Sequence, residues 1–504
     1  METPTVRPTV RGDIEVAYLG HTVDAMIAEF MQQHDIPGLT LAIVQAPYIP
    51  RVVGYGFADP EQKRLASTRT IWPVGPISQA YAGVAVMQLY EAGQLRLDAR
   101  ITDLLPDLPP AWSGVTVLHL LRHSAGLPDY RNHPDFDPAR AGWTARELID
   151  LARDTPPSFA PDTDAAVSAT HFLLLAEIIE RVSGQSYHDF VTERQIAFLG
   201  LQHTCFSEDL ARLHEEDVAA ANNLHTRFKS EKIFVNPAEH ATGHDAAGRP
   251  IPRPESAAFK GFADIWASAE DVSYWDICLA GSILVTRPEN RDLLYKPFAL
   301  PDGRRVPAMS GWNFYHHRGL MDIKGSVPGF SAFLSRFTDA SELVCVTLLA
   351  NREGVDFTWL ARRIAAAFGS AMAPAHDTDR ICLCECSDDA DRVMQRVEDE
   401  LSRRRIPVFA RFDHARNAHE ADLKLPPTRV IVFGAPAVGT RLMLKDQSLA
   451  LDLPLRIAVW EDAGGVWLAF PRLDRLAPAL AGDPTLRAMR DLLEALAAKA
   501  SVAL

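Results

Sequence analysis

The sequence predicts a two-domain protein of the α/β (α+β) class, and three observations predict it. The chain has 504 residues, which is too long for one ordinary hydrophobic core. Strand and helix patterns alternate through the first 370 residues, around one helix that is apolar on nearly every face. A second series of strands and helices begins after a segment of small, charged and proline residues at 371–380.

We therefore expect an antiparallel sheet flanked by helices, with a helical lobe, in residues 1–370. Residues 371–380 are expected to form a linker, and residues 381–504 a small separate α/β domain.

Charge and composition limit the partners and the compartment. The formal net charge of −14 argues against nucleic acid and membrane partners, because both surfaces reward basic patches. We predict neither a signal peptide nor a transmembrane helix, because the first residues lack a basic stretch followed by an apolar one and no run of 18 apolar residues exists. Six cysteines in so long a chain do not form a disulfide framework. A cytoplasmic protein with reduced thiols is expected.

The first elements surround the apolar helix. Residues 21–36 have apolar positions at helical spacing, and residues 39–45 and 51–59 read as a hairpin of two strands. The apolar helix starts at Ser78, a plausible cap, and stops at Gly93. Because it has no polar face, it belongs in the centre of a large domain.

Two histidine pairs follow. Thr116 is a candidate cap for a short helix in VTVLHLLRHSAGLPDY (115–130), in which His119 and His123 have the i, i+4 spacing of metal ligands. His240 and His244 have the same spacing within a polar stretch that reads as a loop. No third ligand is suggested at either pair, so we expect no metal and no cofactor.

These segments resemble, in chain order, motifs of the serine β-lactamase and penicillin-binding-protein superfamily. The branch is that of class C β-lactamases, esterases and D-aminopeptidases. The resemblance extends from about residue 15 to about residue 370, through residues 71–98, 115–130, 159–187, 261–281 and 309–337. Within 261–281, Ala267-Ser268-Ala269-Glu270-Asp271 reads as the cap and first turn of a helix. It implies that family's antiparallel sheet, its helical lobe and a cleft between them.

The same resemblance indicates that the catalytic side chains are replaced. The family's G-S-x-S-K motif, with its nucleophilic Ser and its Lys base, reads Gly75-Pro76-Ile77-Ser78-Gln79. Its Tyr-Ser-Asn triplet, which relays a proton and orients the substrate carbonyl, reads Val167-Ser168-Ala169. Its last triplet, Lys-Thr-Gly or His-Thr-Gly, reads Ile323-Lys324-Gly325. The positions expected along one cleft are therefore Pro76, Gln79, Val167, Ala169, Ile323, Lys324 and Gly325.

Two of these assignments are open to shifts of register. Lys324 points to the opposite face of the strand from Ile323, unless a one-residue deletion returns it to the cleft. Ser78 lies two positions after Pro76, about 200° around a helix. We therefore expect Ser78 to face away from the cleft.

We interpret the N-terminal domain as a pseudoenzyme whose cleft binds a small ligand or a protein partner. An alternative is a non-covalent enzyme (a cyclase, isomerase or transferase) that uses Tyr81, His316, His317 or Lys324 as acid and base. A second alternative is a serine hydrolase, an esterase or amidase, with a displaced nucleophile such as Ser78.

Residues 381–504 resemble the small α/β family called Domain of Unknown Function 302. The resemblance rests on motifs such as Phe412-Asp413-His414 and Phe433-Gly434-Ala435-Pro436, and it implies no activity. Cys382, Cys384 and Cys386 alternate along a strand and so share one face. A soft-metal or redox surface is one interpretation, and we favour small apolar core residues.

Overall fold

The computed structural model describes most of the chain. The described residues are 16–45, 48–138, 140, 142–210, 240–245, 248–251, 257–301, 305–306, 309–314, 320–338, 343–369, 381–462, 465–473, 480 and 483–501. The predicted linker, residues 371–380, lies outside them, as do His316 and His317. The chain forms two compact units, of which the larger holds most of residues 22–361 and the smaller holds residues 362–504 with two short earlier segments.

Most of the elements in the first part of the chain belong to the larger unit. Residues 16–73 form β1 (Ala17–Tyr18), β2 (His21–Thr22), α1 (Val23–Gln33), β3 (Gly38–Gln45), β4 (Tyr48–Asp59), β5 (Arg64–Leu65) and β6 (Trp72–Pro73). Residues 75–206 form a 3₁₀ turn (Gly75–Ile77), α2 (Ser78–Glu91), α3 (Ile101–Leu104), α4 (Val117–Leu121), α5 (Ala145–Arg153), α6 (Ala169–Ser183), α7 (Tyr187–Val191), α8 (Ala197–Leu199) and β7 (Thr204–Phe206).

The remaining elements complete both units. Residues 243–368 form β8 (Gly243–His244), β9 (Pro250–Ile251), β10 (Ile265–Ala267), α9 (Ala269–Ala280), α10 (Pro288–Tyr295), β11 (Phe298–Ala299), β12 (Arg305–Val306), β13 (Asn313–Phe314), β14 (Leu320–Val327), β15 (Phe330–Thr338), β16 (Leu343–Ala350) and α11 (Thr358–Phe368). Residues 381–501 form β17 (Ile381–Cys386), α12 (Ala390–Arg403), β18 (Val408–Asp413), α13 (His414–Glu420), β19 (Thr428–Phe433), α14 (Pro436–Met443), β20 (Leu455–Asp462), β21 (Gly465–Pro471) and α15 (Pro484–Ser501).

A seven-stranded sheet forms the frame of the larger unit. Its strand order is β13-β14-β15-β16-β3-β4-β5, and the pairs β15–β16, β16–β3 and β3–β4 are antiparallel. Strand β3 is buried at seven of its eight residues, because helix α9 packs against it and against β16. The sheet places the end of β14 beside the start of α2, where the predicted cleft lies.

Helix α2 is the buried centre of the helical lobe. Eleven of its fourteen residues are buried, as its apolar composition predicts. It packs against α6, which is itself buried at ten positions from Ala169 to Ile179. The predicted cap at Ser78 is wrong. The preceding 3₁₀ turn leads directly into the helix, the N-cap position is Ile77, and no side chain caps it.

Two other predicted caps are confirmed. Thr116 begins α4, and its side chain and that of His119 form a reciprocal capping box. Ser268 begins α9, where its Oγ accepts the N–H of Asp271 at 3.1 Å. Capping could be predicted at these positions because the signal is local to one turn of chain.

The smaller unit has its own five-stranded antiparallel sheet, in the order β17-β21-β20-β19-β18. Helices α12 and α15 cover one face of it and form a common apolar core. Cys386 lies in that core, and Cys382 and Cys384 pack against it. The two-domain α+β organisation is therefore confirmed, and the three cysteines fit the interpretation as small apolar residues.

Substitution in this second core tests its contribution to stability. Leu401, on α12, is fully buried, so Leu401→Ala is expected to lower the free energy of unfolding by about 2–5 kcal/mol through lost burial and a residual cavity. Leu444 is 81% exposed, so Leu444→Ala is expected to change the same quantity by less than about 0.5 kcal/mol. Urea denaturation of both variants measures the difference, and equal losses would contradict the packing described.

Candidate functional site

The site is built around the turn that begins helix α2. Gly75 has a φ of +54°, a left-handed conformation that favours glycine. Pro76 follows at the second position of the 3₁₀ turn, where its missing N–H is harmless because the first N–H groups of a helix have no partner within it. Pro76 is partly exposed, whereas Gly75 and Ile77 are buried. The turn therefore places Pro76 at the surface, at the position that the family motif gives to the nucleophile.

Ser78 faces the interior. Its side chain is fully buried, and its Oγ accepts the N–H of Ile265 in β10 at 3.2 Å. The carbonyl of the same Ile265 accepts the N–H of Val74 at 3.0 Å. These two bonds fix the start of α2 against β10 and turn the Ser78 hydroxyl away from the exposed side of Pro76.

The end of strand β14 lies beside the same turn. A Cβ built on Gly75 would stand 3.2 Å from Val327 Cγ1 and 3.5 Å from Ser326 N. A Cβ built on Gly325 would stand 2.5 Å from the carbonyl oxygen of Val74, so no larger residue fits there. The structure therefore brings Gly325 and the segment carrying Pro76 into direct contact.

Gln79 and Ile323 are also brought together, and both are buried. Each is 1% exposed. Gly311 lies between them, because a Cβ built on it would be 3.2 Å from Gln79 Oε1 and 4.0 Å from Ile323 Cγ2. At the position of the family's cation there is thus an apolar side chain, and Gly311 lies between it and an uncharged amide.

Lys324 lies elsewhere. Its Nζ donates to Asp356 Oδ2 at 3.1 Å, and the ion pair is partly exposed. The one-residue step along β14 has turned this side chain away from the contact that Ile323 makes. The structure therefore does not have the shifted register that would return Lys324 to the cleft.

The beginning of α6 supplies the third part of the site. Val167 is 50% exposed and Ala169 is fully buried. The N–H of Ala169 donates to Asp129 Oδ2 at 3.2 Å. Thr170 Oγ1 donates to the carbonyl of Pro128 at 2.6 Å and accepts the N–H of Tyr130 at 3.2 Å. Helix α6 is therefore tied to residues 128–131.

Asp129 also holds Arg131. The Nε and Nη2 of Arg131 donate to both oxygens of the Asp129 carboxylate at 2.6–3.0 Å. The guanidinium carbon of Arg131 lies 4.4 Å from the centre of the Phe262 ring, which is a cation–π distance. The positive charge of Arg131 is therefore balanced by a carboxylate at one edge and an aromatic face beside it.

A small open cavity of about 70 Å³ lies where these parts meet. Three aromatic side chains, Phe259, Phe262 and Trp266, line it together with Pro73, Ala263, Val327 and Pro328. Its polar lining residues are Arg131, Ser207 and Ser326.

The seven positions expected along the cleft are not among these lining residues. Gly325 contacts the Val74 carbonyl, and Gly75 lies against Ser326 and Val327 of the lining, so the turn that carries Pro76 is next to the cavity. Asp129 joins the start of α6 to Arg131, which lines the cavity.

Sequence reasoning missed Arg131, Phe259, Phe262 and Trp266. A signal was present, because three aromatic residues fall within eight positions from 259 to 266. That segment reads as the approach to a helix, and nothing local shows that its rings face a cavity. The Asp129 carboxylate, which pairs with Arg131, also accepts the N–H of Ala169 at the start of α6, 40 residues later in the chain.

Ser78 and Tyr81, which are candidate groups within the described part of the chain, are not among the residues that line the cavity. Tyr81 is fully buried, stacks on Trp275 at a ring distance of 4.2 Å, and its hydroxyl has no hydrogen-bond partner among the described residues. Burial raises the pKa of Tyr81 well above 10.

Within the described part of the chain, no three His, Cys, Asp or Glu side chains are grouped so that they could hold a metal ion.

Two buried histidines lie behind the site. His123 and His171 are 5% exposed or less, and their ring centres are 6.2 Å apart. None of their four ring nitrogens has a hydrogen-bond partner among the described residues. Burial lowers the pKa of His123 to about 4, and burial, with His123 as neighbour, lowers the pKa of His171 well below 6.5. Both imidazoles are therefore neutral in the folded protein.

Each of the two parts of the chain matches a known protein family. Residues 23–368 match the family model described as Beta-lactamase, and residues 384–502 match the model of Domain of unknown function DUF302. Penicillin-binding protein 4* of Bacillus subtilis (strain 168) is 23% identical over 306 residues, which is 59% of this chain and 64% of that protein. The chain spans 45% to 64% of the length of the first curated relatives that it matches.

Two further similarities are more limited. The fluoride-specific ion channel FluC 1 of Brucella suis biovar 1 (strain 1330) is 36% identical over 149 residues, 29% of this chain and 58% of that protein. The structure of the octameric penicillin-binding protein homologue from Pyrococcus abyssi is similar with a TM-score of 0.57 and 19% identity. That similarity covers 88% of this chain and 89% of the other, and it concerns the fold alone. Among the described helices, none is long and apolar enough to cross a membrane.

The buried histidines generate a pH prediction. Because their folded-state pKa values lie below the ordinary 6.5, the unfolded chain binds more protons, so stability falls as the pH drops from 6.5 towards 4. In that interval each histidine lowers the free energy of unfolding by up to about 1.4 kcal/mol for each unit that the pH drops. The His171→Leu variant lacks one of these contributions, so its free energy of unfolding is expected to fall less steeply with pH. Denaturant titration at several pH values measures this dependence.

His419→Leu is the matched control, because His419 is exposed on α13 and its loss should leave the slope unchanged. Equal slopes in the parent protein and in His171→Leu would contradict the burial of a neutral imidazole.

Proposed function

Because the chain belongs to the Beta-lactamase family over residues 23–368, we propose that its N-terminal domain is a catalytically degenerate member of this serine hydrolase superfamily. Its cleft binds a small ligand and forms no acyl-enzyme. The observation that carries the proposal is the start of helix α2. The partly exposed position holds Pro76, and the hydroxyl two residues later, that of Ser78, is buried and accepts the N–H of Ile265.

Acyl transfer by this superfamily needs a nucleophile and a base within hydrogen-bond reach of it. Gln79 carries a neutral amide, which accepts no proton at ordinary pH. Removal of the nucleophile alone from a serine protease lowers kcat by about 10⁶-fold. Loss of both groups at one turn therefore opposes residual hydrolysis by the family mechanism.

The other positions that the family motifs specify supply no replacement for the nucleophile or its base. Val167 and Ala169 have neither a proton to move nor a side-chain hydrogen bond to give. Ile323 is apolar, and Lys324 is paired with Asp356. These replacements support a site that has lost its proton relay together with its nucleophile.

A displaced nucleophile is opposed by the surroundings of the available serines. Ser326 is exposed at the cavity, and the described lining residues include no imidazole, amine or carboxylate to take its proton. Ser207 Oγ donates to the carbonyl of Asp264 at 3.1 Å. For non-covalent acid–base chemistry, Tyr81 is buried and Lys324 is engaged, so no observation favours that alternative.

The proposal includes a cytoplasmic location. Six cysteines in a chain of this length do not make a disulfide framework, which suits a reducing compartment. No activity is proposed for the C-terminal domain, whose family carries no functional description.

Steady-state hydrolysis tests the proposal. The purified protein is expected to hydrolyse nitrocefin and p-nitrophenyl esters no faster than Ser78→Ala and Ser326→Ala variants do, because neither hydroxyl has a base. Ser78→Ala leaves the Ile265 N–H unpaired at a cost of about 1–3 kcal/mol, so circular dichroism must show that the variant remains folded. A tenfold or larger loss of rate in a folded Ser-to-Ala variant would contradict the proposal.

Restoring the motif provides the complementary test. The double substitution Pro76→Ser with Gln79→Lys is expected to give slow, stoichiometric acylation by a penicillin, because a desolvated Lys has a lowered pKa and can act as a base. Pro76→Ser alone is the matched control and should remain unmodified. Intact-mass spectrometry measures both, and equal acylation of the single and double variants would show that position 79 is not the position of the base.

A further inference from the structure

We propose that Arg131 anchors the carboxylate of a short, branched monocarboxylate, whose apolar group occupies the cavity between the aromatic rings. This inference rests on the proposed function of the cleft as a binding site, and it adds the chemical class of the ligand and the residue that holds it. Arg131 stands at none of the positions that the family motifs specify. The anchor is therefore independent of the replaced catalytic positions.

Asp129 occupies one edge of the Arg131 guanidinium and leaves the other edge unused. The Nε–H and one Nη2–H donate to the Asp129 carboxylate. A guanidinium carries five N–H groups, so two on Nη1 and one on Nη2 remain, and these have no acceptor among the described residues. One Nη1–H and the remaining Nη2–H form the parallel fork that binds both oxygens of a carboxylate.

The unused edge is the polar part of Arg131 that is left for the cavity. The Arg131 side chain is 33% exposed, whereas that of Asp129 is 7% exposed. Arg131 lines the cavity and Asp129 does not. The guanidinium carbon also lies over the ring of Phe262, which covers one face of the group. With one edge on a buried carboxylate and one face on an aromatic ring, the guanidinium is held in one orientation.

The negative charge of Asp129 is stabilised by more than Arg131 alone. Its carboxylate also accepts the backbone N–H of Arg131 at 3.0 Å and the N–H of Ala169 at 3.2 Å. Ala169 is the first residue of α6, so the positive end of that helix dipole adds to the stabilisation. The described lining residues include no carboxylate. A ligand carboxylate at the unused edge of Arg131 therefore meets a cation and no unpaired negative charge.

The walls of the cavity suit an apolar group beside that carboxylate. Trp266 pairs with Pro73 in the β10–β6 ladder, and its ring meets that of Phe330 edge-on at 5.8 Å. Phe262 contacts the ring of Phe172 at 6.4 Å. Rings supported in this way keep the space between them open to an apolar guest.

The size of the cavity selects a short guest. The cavity volume is about 70 Å³, and a water molecule's share of liquid volume is about 30 Å³. An engineered apolar cavity that admits benzene has about 150 Å³. The space therefore suits an isopropyl-sized group better than an aromatic ring.

The test compares isobutyrate with isobutyramide, which lacks the charge, and with acetate, which lacks the branched group. Saturation-transfer NMR titrations use the full-length protein at constant ionic strength, in a buffer without carboxylate or phosphate. Isobutyrate is expected to bind with a dissociation constant of about 0.1–10 mM. Isobutyramide is expected to bind at least about tenfold more weakly, because it cannot accept two charge-assisted hydrogen bonds. Acetate is expected to bind about tenfold more weakly, because it lacks two methyl groups that the cavity buries.

Equal or tighter binding of isobutyramide would overturn the role of Arg131. Equal or tighter binding of acetate would overturn the role of the cavity. Absence of isobutyrate binding in the stated range would overturn the whole inference.

Substitution of the anchor locates the carboxylate. Arg131→Gln is expected to weaken isobutyrate binding at least about tenfold and to leave isobutyramide binding unchanged. Arg96→Gln is the matched control, because Arg96 also donates its Nε–H and Nη2–H to a carboxylate two residues away, that of Asp98, and is not among the described lining residues. Unchanged isobutyrate binding in a folded Arg131→Gln variant, or an equal loss in both variants, would contradict the anchor.

A second variant keeps Arg131 and its ion pair with Asp129. Ala263→Leu fills the cavity from its lining and is expected to weaken isobutyrate binding at least about tenfold. Ala437→Leu, on the exposed face of α14, should leave it unchanged. Unchanged isobutyrate binding in a folded Ala263→Leu variant would overturn the placement of the apolar group.

These outcomes are independent of acylation. An acyl adduct on a serine would refute the proposed function and leave the preference for a carboxylate intact. Preferential isobutyramide binding would refute the present inference and leave the pseudoenzyme proposal intact.

Discussion

The arrangement of the site depends on how helix α2 is attached to strand β10. Ile265 makes two hydrogen bonds there: its carbonyl accepts the N–H of Val74, and its N–H donates to Ser78 Oγ. With both ends of this short segment fixed, the left-handed turn at Gly75 leaves Pro76 as its partly exposed residue. The close approach of Gly325 to the Val74 carbonyl locks β14 to the same segment. The Ser78 hydroxyl therefore has a structural role, because it binds the start of α2 to β10.

The loss of charge around this attachment has a consequence for recognition. Gln79 and Ile323 pack against Gly311 where the family motif carries charged groups, and Arg131 is balanced by Asp129 and the Phe262 ring. Arg131 is the charged side chain among the described residues that line the cavity, and its pairing with Asp129 reduces the field that it presents to an anion at a distance. The apolar residues of the lining can exclude water from an apolar group. Binding without turnover is the function that we propose for these side chains.

The fold could be predicted from the sequence because its signals are local. The apolar pattern of α2, the caps at Thr116 and Ser268 and the break before residue 381 each lie within one or two turns of chain. The expectation that Ser78 faces away from the cleft followed from helical geometry alone. The cavity could not be predicted in this way, because Arg131, Trp266 and Ser326 come from three distant segments. Their contact depends on the register of β14 against the start of α2, which a single sequence does not specify. The predicted cap at Ser78 was wrong for the same reason, since its hydrogen-bond partner is 187 residues away.

Intact-mass spectrometry of the unmodified protein, after incubation with a fluorophosphonate and with a fluorescent penicillin, tests the central claim most directly. Both reagents report any serine that has a functioning base, whatever its position in the cleft. The account predicts that the mass remains that of the unmodified chain with either reagent. A stoichiometric adduct, mapped by peptide analysis to Ser78, Ser326 or another serine of the N-terminal domain, would contradict it.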